Sequence, residues 1–256
     1  MSSEISPKSR SKSHPQPLDI SVVVPVHNES GAVGDLVSEI AVALDGYAYE
    51  MIFVDDASKD DTHAKLITLK EKFPALRVLA HRKNAGQSRA IMSGVLAARA
   101  PVIGTLDGDG QNDPSDLPKL LRQLNRADAP GGLGFVSGRR VKRQDSQAKK
   151  IASSLANWVR QALLRDGADD SGCGIKVVRR ELFVRLPYFD HMHRYMPALV
   201  MREGALAEYV VVNHRHRTTG ASKYTNLGRL VAALSDLIGV IWLTSRRRDF
   251  GHVDES

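Results

Sequence analysis

The residues of this chain best suited to chemistry are Asp107-Gly108-Asp109-Gly110-Gln111, which follow the apolar residues 101–106. An apolar run with β-branched residues predicts a buried strand, and open α/β sheets bind ligands beyond the carboxyl ends of their strands. Because alternate side chains of an extended backbone share a face, Asp107 and Asp109 can face one ligand. The oxygens of Asp109 and Gln111 suit a hard divalent cation that also holds phosphates. The alternative is a polar turn after a strand, since Asp and Gly are common turn residues.

Two earlier apolar runs also end in polar residues. Residues 20–26 lead into His27-Asn28-Glu29, and residues 50–54 lead into Asp55-Asp56. Because parallel strands end along one edge of a sheet, we expect these groups to lie beside Asp107. Acids on one edge repel one another unless a cation or hydrogen-bond donors compensate. A nucleotide sugar fits such an edge, since carboxylates accept hydrogen bonds from ribose and base and a metal neutralises the diphosphate.

The composition predicts a globular protein with an anionic partner. The net charge is +7, the pI is about 9.6 and 42% of residues are hydrophobic. An excess of positive charge favours nucleic acid, a phosphorylated ligand or an acidic membrane surface. Only 5% of residues are aromatic, which weighs against single-stranded nucleic acid as the partner. The single cysteine, Cys173, excludes an intramolecular disulfide and fits a reducing, cytoplasmic compartment.

The order of the predicted elements indicates an α/β fold. Strand and helix patterns alternate over residues 19–139, which predicts a mainly parallel sheet flanked by helices. Helices over 147–164 and 191–202 and strands over 174–178 and 207–213 follow, and we expect this half to pack on the same sheet and cover the acidic site. The predicted organisation is a disordered basic arm (1–18), a catalytic domain (19–225), an amphipathic helix (226–248) and a tail (249–256).

Together these motifs resemble the family-2 glycosyltransferases of GT-A fold, over about residues 20–224. The stretches that carry the resemblance are Val24-Pro25-Val26-His27-Asn28-Glu29, Val54-Asp55-Asp56-Ala57-Ser58, Asn84-Ala85-Gly86 and Leu106-Asp107-Gly108-Asp109-Gly110-Gln111-Asn112-Asp113-Pro114. Gln111 before Asn112-Asp113-Pro114 is most similar to the dolichol-phosphate mannosyltransferase branch, which loads sugars onto polyprenyl phosphates. Also similar to that branch are Gly172-Cys173-Gly174-Ile175-Lys176, Arg179-Arg180 and Gly220-Ala221-Ser222-Lys223-Tyr224.

The resemblance implies an inverting enzyme that moves one sugar from a GDP- or UDP-linked donor to a polyprenyl or dolichyl phosphate. The Gln-x-x-Arg-Trp motif of processive members is absent from the sequence, which favours transfer of a single sugar. His27 stands where the family commonly has Tyr or Phe, so the base preference stays open and a buried structural histidine is the alternative. The residues implied for the nucleotide sugar are Pro25, His27, Glu29, Asp55, Asp56 and Asp107, and those for Mg²⁺ or Mn²⁺ are Asp109 and Gln111.

A cationic loop over residues 213–224 interleaves basic residues with glycine and hydroxyl groups, as do loops that close over phosphates. A solvated surface loop is the alternative for such a charge run. We expect the loop to hold phosphate near the metal, with Arg217 and Lys223 acting in catalysis together with Asp107 and Asp109. The candidates for phosphate and acceptor binding are Arg215, Arg217, Ser222 and Lys223, with Arg139 and Lys150 as further candidates for the lipid phosphate.

Apolar residues recur at helical spacing from Leu227 to Ile241, and Trp242 and three arginines follow. The pattern fits either a core helix or an interfacial helix with its apolar face in lipid. We expect the second, with peripheral binding to the anionic cytoplasmic face of the membrane, because a lipid-phosphate acceptor requires contact with the bilayer. Two other functions remain open: transfer to a saccharide or lipid A-like acceptor, and a non-catalytic membrane-binding module.

Overall fold

The computed structural model describes residues 17–140, 160–168, 170, 172–213, 215 and 226–247. Its sheet has seven strands in the order β3-β2-β1-β4-β6-β5-β7. Only β6 runs antiparallel to its neighbours, β4 and β5, within this described sheet. The fold is therefore the predicted α/β fold with a mainly parallel sheet. The strands are β1 (Ile20–Val26), β2 (Tyr49–Asp55), β3 (Leu76–Ala80), β4 (Val102–Thr105), β5 (Leu133–Arg140), β6 (Lys176–Arg179) and β7 (Leu206–Val212).

Helices cover both faces of this sheet. They are α1 (Val33–Ala43), α2 (Thr62–Lys72), α3 (Gln87–Ala97), α4 (Leu117–Asn125), α5 (Arg180–Arg185), α6 (Met196–Arg202) and α7 (Asn226–Ser245), with 3-10 turns at Pro114–Asp116 and Met192–Arg194. Of the helix predicted over 147–164, residues 160–164 are described and are helical. The helix predicted over 191–202 is instead the second 3-10 turn followed by α6. His191 has a left-handed φ of +65°, and Tyr195, between the turn and α6, has a non-helical φ of -112°.

The alternation of side chains along β1 divides the core into two layers. Val22 and Val24 face α1, α2 and α4, whereas Val23 faces α3, α5 and α6. Both faces of a mainly parallel sheet are covered in this way, which explains why β1 is apolar at nearly every position. The continuous apolar run therefore follows from burial on both sides, as the sequence predicted.

The strand register brings the polar strand ends to one edge. Val26 lies opposite Asp55, and Asp55 lies opposite Ala80, so β1, β2 and β3 end at the same level. The loop after β4 then runs past the end of β1. At Gly108 an added Cβ would lie 2.7 Å from the carbonyl oxygen of Pro25, so this close approach of two backbones requires glycine.

The second half of the described chain extends the same sheet. Strand β6 lies between β4 and β5, and β7 pairs with β5 at the edge. Helix α7 packs against α6 and is tied to the rest of the fold by a hydrogen bond from His191 Nδ1 to Asp236 (2.9 Å). Among the described residues, none of the helices combines the length and the hydropathy that crossing a bilayer requires.

Candidate active site

Hydrogen bonds between the ends of β1 and β2 build one wall of the site. His27 Nδ1 lies 2.8 Å from the carbonyl oxygen of Asp56, and His27 Nε2 lies 3.2 Å from the side-chain nitrogen of Asn28. Because a carbonyl only accepts, Nδ1 carries the proton and Nε2 accepts from Asn28. The backbone amide of Asn28 donates to Ser58 Oγ (2.9 Å), and the backbone amide of Glu29 donates to Thr62 Oγ1 (2.9 Å). Both nitrogens of His27 are thus engaged within the wall, and its stacking on a base stays a prediction.

Asp56 anchors a neighbouring loop. Its carboxylate accepts from the backbone amides of Ala85 (2.9 Å) and Gly86 (2.8 Å) and contacts His81 Nδ1 at 2.6 Å. Gly86 precedes α3 with φ of +87°, a conformation that favours glycine. Asp56 is only 3% exposed, so its carboxylate positions the Asn84–Gly86 stretch and the start of α3. The supporting role expected for Asp56 in a nucleoside-binding wall stays a prediction.

The other acids of this wall are also held by the protein. Asp55 accepts from the amide of Ser58 (3.0 Å), and its second oxygen lies 3.2 Å from His63 Nδ1. Asp60 accepts from Thr62 and Ser30. Burial alone would raise the pKa of Asp60, but these hydrogen bonds outweigh it and lower the pKa to about 2. The wall is therefore organised before any ligand binds. Pro25 lies buried within β1 beside it.

The loop after β4 presents the predicted metal ligands. The amide of Asp107 donates to Asn112 Oδ1 (2.9 Å), and the amide of Gln111 donates to Asp109 Oδ1 (3.1 Å). Asp109 and Gln111 are partly exposed residues. No group of three acidic, histidine or cysteine side chains in the described residues is placed to hold a metal. One carboxylate and one amide oxygen fit Mg²⁺ or Mn²⁺, which commonly binds few protein ligands and completes its shell with phosphate and water.

A pocket of about 390 Å³ opens beside Asp107, and we call it the Asp107 pocket. Gln87, the first residue of α3, donates to Asp107 Oδ1 (2.8 Å). Gly174 passes so close that an added Cβ would overlap the side chains of Asp107 and Asn112. The described residues that line the pocket are Gln87, Ile91, Thr105, Leu106, Asp107, Arg140, Asp170, Gly172, Gly174, Lys176, His193, Arg194 and Met196.

Charged side chains of both signs line this pocket, and two of them, Asp170 and Lys176, are buried. The guanidinium of Arg140 donates two hydrogen bonds, of 2.6 and 2.7 Å, to the carboxylate of Asp170. Lys176 donates to the carbonyl of Cys173. Burial raises the pKa of Asp107, the charge of Asp109 raises it further, and Lys176 and Arg140 oppose the shift. Burial also lowers the pKa of Lys176. An acid and a base are therefore both held where their charged forms are penalised, which is typical of a functional site.

His193 closes the side of the pocket next to α3. Its Nδ1 lies 2.8 Å from Ser88 Oγ. Burial lowers its pKa to about 3, and the nearby charges of Lys176 and Arg194 add to the shift. His193 is therefore neutral at physiological pH and serves as a hydrogen-bonding group.

Arg215, in the cationic loop, forms hydrogen bonds and ion pairs near the loop after β4. The amide of Arg215 donates to the carbonyl of Gln111 (3.0 Å), and its guanidinium pairs with Glu39 (2.7 Å) and Asp113 (2.8 Å). The structure thus brings Arg215 to the predicted site but engages its side chain with carboxylates. Arg139 lies exposed near the end of β5 and has a partner of its own. Lys150, Arg217, Ser222 and Lys223 lie outside the described residues.

Sequence reasoning assigned no role to several residues that line the pocket: Gln87, Arg140, Asp170, Lys176, His193 and Arg194. One signal was present, since Lys176 interrupts an apolar strand pattern where a charged residue is rarely buried without a purpose. Arg140 follows the named candidate Arg139, and the alternation of side chains along β5 decides between the two.

Comparison with known proteins identifies the family. The profile of the family described as Glycosyl transferase family 2 matches residues 21–186, and the chain belongs to that family. It is therefore a glycosyltransferase. It is 34% identical to the dodecaprenyl-phosphate galacturonate synthase of Rhizobium johnstonii over 245 residues, which cover 93% of this chain and 70% of that protein. It is 32% identical to the undecaprenyl-phosphate 4-deoxy-4-formamido-L-arabinose transferase of Enterobacter sp. strain 638, over 89% of this chain and 69% of that protein.

A solved structure shares the fold. The glucosyl-3-phosphoglycerate synthase of Mycobacterium tuberculosis, in complex with Mn²⁺, UDP-glucose and phosphoglyceric acid, superposes with a TM-score of 0.65. The match covers 91% of this chain and 82% of that chain at 19% sequence identity. The similarity confirms the GT-A fold that the sequence motifs predicted.

Proposed function

We propose that this enzyme moves one sugar from a nucleotide-sugar donor to a polyprenyl phosphate with inversion at the anomeric carbon. The observation that carries the proposal is the edge where an organised wall, the Asp109 and Gln111 oxygens and the Asp107 pocket meet. Two relatives whose names specify transfer to a polyprenyl phosphate support the acceptor class. Those names specify an acidic sugar and an uncharged sugar, so they leave the sugar of this enzyme open.

The wall at the ends of β1 and β2 would bind the nucleoside, near Pro25, His27, Glu29 and Asp55. The donor's diphosphate would then lie at the loop after β4, where Asp109 and Gln111 would hold Mg²⁺ or Mn²⁺. That cation would neutralise charge on the departing diphosphate. This assignment puts the sugar beside Asp107 and leaves Asp56 as the support of the wall.

The acceptor needs little activation. A polyprenyl phosphate oxygen is already anionic at neutral pH, so it attacks the anomeric carbon without a strong general base. The protein must hold two anionic groups close together, and we assign this task to the cationic loop. Lys223→Ala or Arg217→Ala should then lower turnover more than nucleotide binding. Unchanged kinetics in both variants would indicate that the loop is a solvated surface segment.

Product analysis tests the proposed function. The protein would be incubated with Mn²⁺, a short polyprenyl phosphate and a panel of UDP- and GDP-linked sugars, and the lipid would be analysed by mass. We expect the mass of one sugar to be added, and none after chelation of the metal. A free sugar without glycosylated lipid, or transfer to a saccharide acceptor in place of the lipid, would contradict the proposal.

The exposed face of α7 supports a peripheral membrane contact. Leu234, Ile238 and Trp242 follow one another at four-residue spacing and are 52%, 68% and 57% exposed, whereas Val240 is buried against the core. The guanidinium of Arg246 lies 5.9 Å from the centre of the Trp242 ring. An apolar stripe with tryptophan and arginine at one end is typical of helices that lie in the headgroup region. We therefore place α7 at an anionic membrane surface.

Vesicle binding tests this placement. The double variant Leu234→Glu/Ile238→Glu should bind anionic vesicles more weakly and slow transfer to a long-chain acceptor, while transfer to a short soluble acceptor continues. Each basic residue near the anionic surface contributes about 1 kcal/mol of attraction. Salt screens this attraction, so wild-type binding should weaken in high salt. The matched control is Val42→Glu/Leu96→Glu, which changes exposed apolar residues of α1 and α3. Equal binding by both double variants would place the membrane contact elsewhere.

A further inference from the structure

The Asp107 pocket is lined by more cationic than acidic side chains. Three cationic side chains line it, those of Arg140, Lys176 and Arg194, and the acids Asp107 and Asp170 face them. Arg140 is committed to Asp170 by a two-bond ion pair. The guanidinium of Arg194 makes no hydrogen bond or ion pair with the described residues. A guanidinium at a pocket wall that is unpaired within the described part of the chain is suited to bind an anionic oxygen group of a ligand.

Lys176 adds a second cation with spare donors. It is 4% exposed, and its ammonium group donates to the carbonyl of Cys173. Since an ammonium group has three donors, two remain for a ligand as far as the described residues are concerned. Burial lowers the pKa of Lys176, so an anion bound in the pocket would favour its charged form.

The rest of the lining suits a sugar ring. Ile91, Leu106 and Met196 are apolar, whereas Gln87 and His193 offer hydrogen bonds. A monosaccharide has C–H faces that pack on apolar groups and hydroxyls that need polar partners, and a bare phosphate would use only the cations. A donor whose diphosphate lies at Asp109 and Gln111 would place its sugar next to Asp107, at this pocket.

We propose that the donor sugar is a hexuronic acid, and that Arg194 and Lys176 bind its carboxylate in the Asp107 pocket. This inference rests on the proposed function, which supplies the position of the donor. It names the substrate class and two residues that determine specificity. Arg194 recognises the carboxylate through its planar fork of donors, and Lys176 acts as a point charge.

Paired donors with the same nucleotide provide the test. The ratio of kcat/KM for a nucleotide-linked uronate to that for the corresponding neutral hexose would be measured with one short polyprenyl phosphate. We expect the wild type to prefer the uronate and Arg194→Gln to lower this ratio about tenfold or more. Arg194→Lys should restore part of it. The matched control is Arg185→Gln, which removes an exposed arginine that does not line the pocket.

Each opposing result identifies what failed. A wild-type preference for the neutral hexose, or an unchanged ratio in Arg194→Gln, would overturn the inference while the proposed transfer stands. A raised KM for polyprenyl phosphate with an unchanged sugar ratio would assign the pocket to the acceptor phosphate and also overturn it. If the lipid receives no sugar from any donor, the proposed function fails. Calorimetric titration with the same paired donors then still tests carboxylate binding, with equal affinities as the overturning result.

Discussion

The two ends of the candidate site differ in how their polar groups are used. At the β1–β2 end, the carboxylates of Asp55, Asp56 and Asp60 accept hydrogen bonds from backbone amides or side chains of the protein itself. At the β4–β6 end, Asp109 and Gln111 are partly exposed, and Arg194 has no partner among the described residues. The first end is organised internally, whereas the second retains groups that can bind ligand.

This difference separates residues that shape the site from residues that act on the substrate. An acid whose oxygens are already bonded contributes rigidity, and its loss should appear as lost stability. An acid or amide that keeps one oxygen for a ligand contributes to binding and turnover, and its loss should leave the fold intact. Changes at the two ends should therefore produce different measurable defects.

The largest expected loss of activity follows a change at Asp109, in the loop after β4. Asp109→Asn should lower transfer about a hundred- to a thousandfold, because it removes a charged ligand of the cation and leaves diphosphate charge uncompensated. Its melting temperature without ligand should match the wild type, whereas the stabilisation by nucleotide with Mn²⁺ should be lost. Asp128→Asn, at a side chain that is 87% exposed, is the control. Full turnover in Asp109→Asn would remove the metal role from this residue.

A nearly as large loss of activity is expected from Gly174→Ala, which adds one methyl group. The added Cβ of Gly174→Ala would overlap Asp107 and Asn112, so the loop after β4 must shift. A displacement of about 1 Å can cost a hundredfold in rate, and we expect a loss of that size in kcat/KM. Gly131→Ala, where no atom lies within 4 Å of the added Cβ, should behave as wild type. Equal activity in the two variants would show that the loop adapts freely.

At the organised end, Asp56→Asn should reduce stability. An amide nitrogen would face the backbone donors of Ala85 or Gly86, and we expect the free energy of unfolding to fall by about 1–3 kcal/mol. Urea denaturation measures this change. Asp61→Asn is the control, since the exposed Asp61 makes no capping hydrogen bond to α2. A stable Asp56→Asn variant with lost turnover would instead place this carboxylate among the groups that act on substrate.

The smallest expected effect is a pH dependence from His193. The folded-state pKa of about 3 lies below the unfolded value of about 6.5, so the unfolded chain binds the extra proton first. This contribution to stability is complete above pH of about 6.5 and is lost as the pH falls toward 3. His193→Asn should therefore lose less stability than the wild type between pH 7 and pH 5, as measured by urea denaturation. Parallel curves for the two proteins would contradict a lowered pKa of His193.

Much of the fold and one half of the site followed from local patterns. Apolar runs, turn residues and the alternation of strands with helices predicted the sheet and placed Asp55, Asp56, Asp107 and Asp109 at one edge. Parallel strands that alternate with helices must end together, so local pattern was sufficient for this result. The roles of the acids did not follow, because their hydrogen-bond partners are distant in sequence.

The pocket was decided by pairing between distant segments. Strand β6 enters antiparallel between β4 and β5, and this register sets Lys176 opposite Thr105 and Ser137. The 3-10 turn at Met192–Arg194 brings His193 and Arg194 to the same pocket from the other side. Neither contact has a local signature, since each depends on where the second half of the chain docks.

The C-terminal helix shows the same division. Its apolar spacing determined an amphipathic helix, but the spacing alone fitted both a core helix and an interfacial helix. Docking on α6 buries Val240 and leaves Leu234, Ile238 and Trp242 exposed. The sequence by itself thus determined the elements and the edge where their polar ends meet. Tertiary packing decided which polar groups form hydrogen bonds within the protein and which face a ligand, because burial and hydrogen bonding depend on segments far apart in the chain.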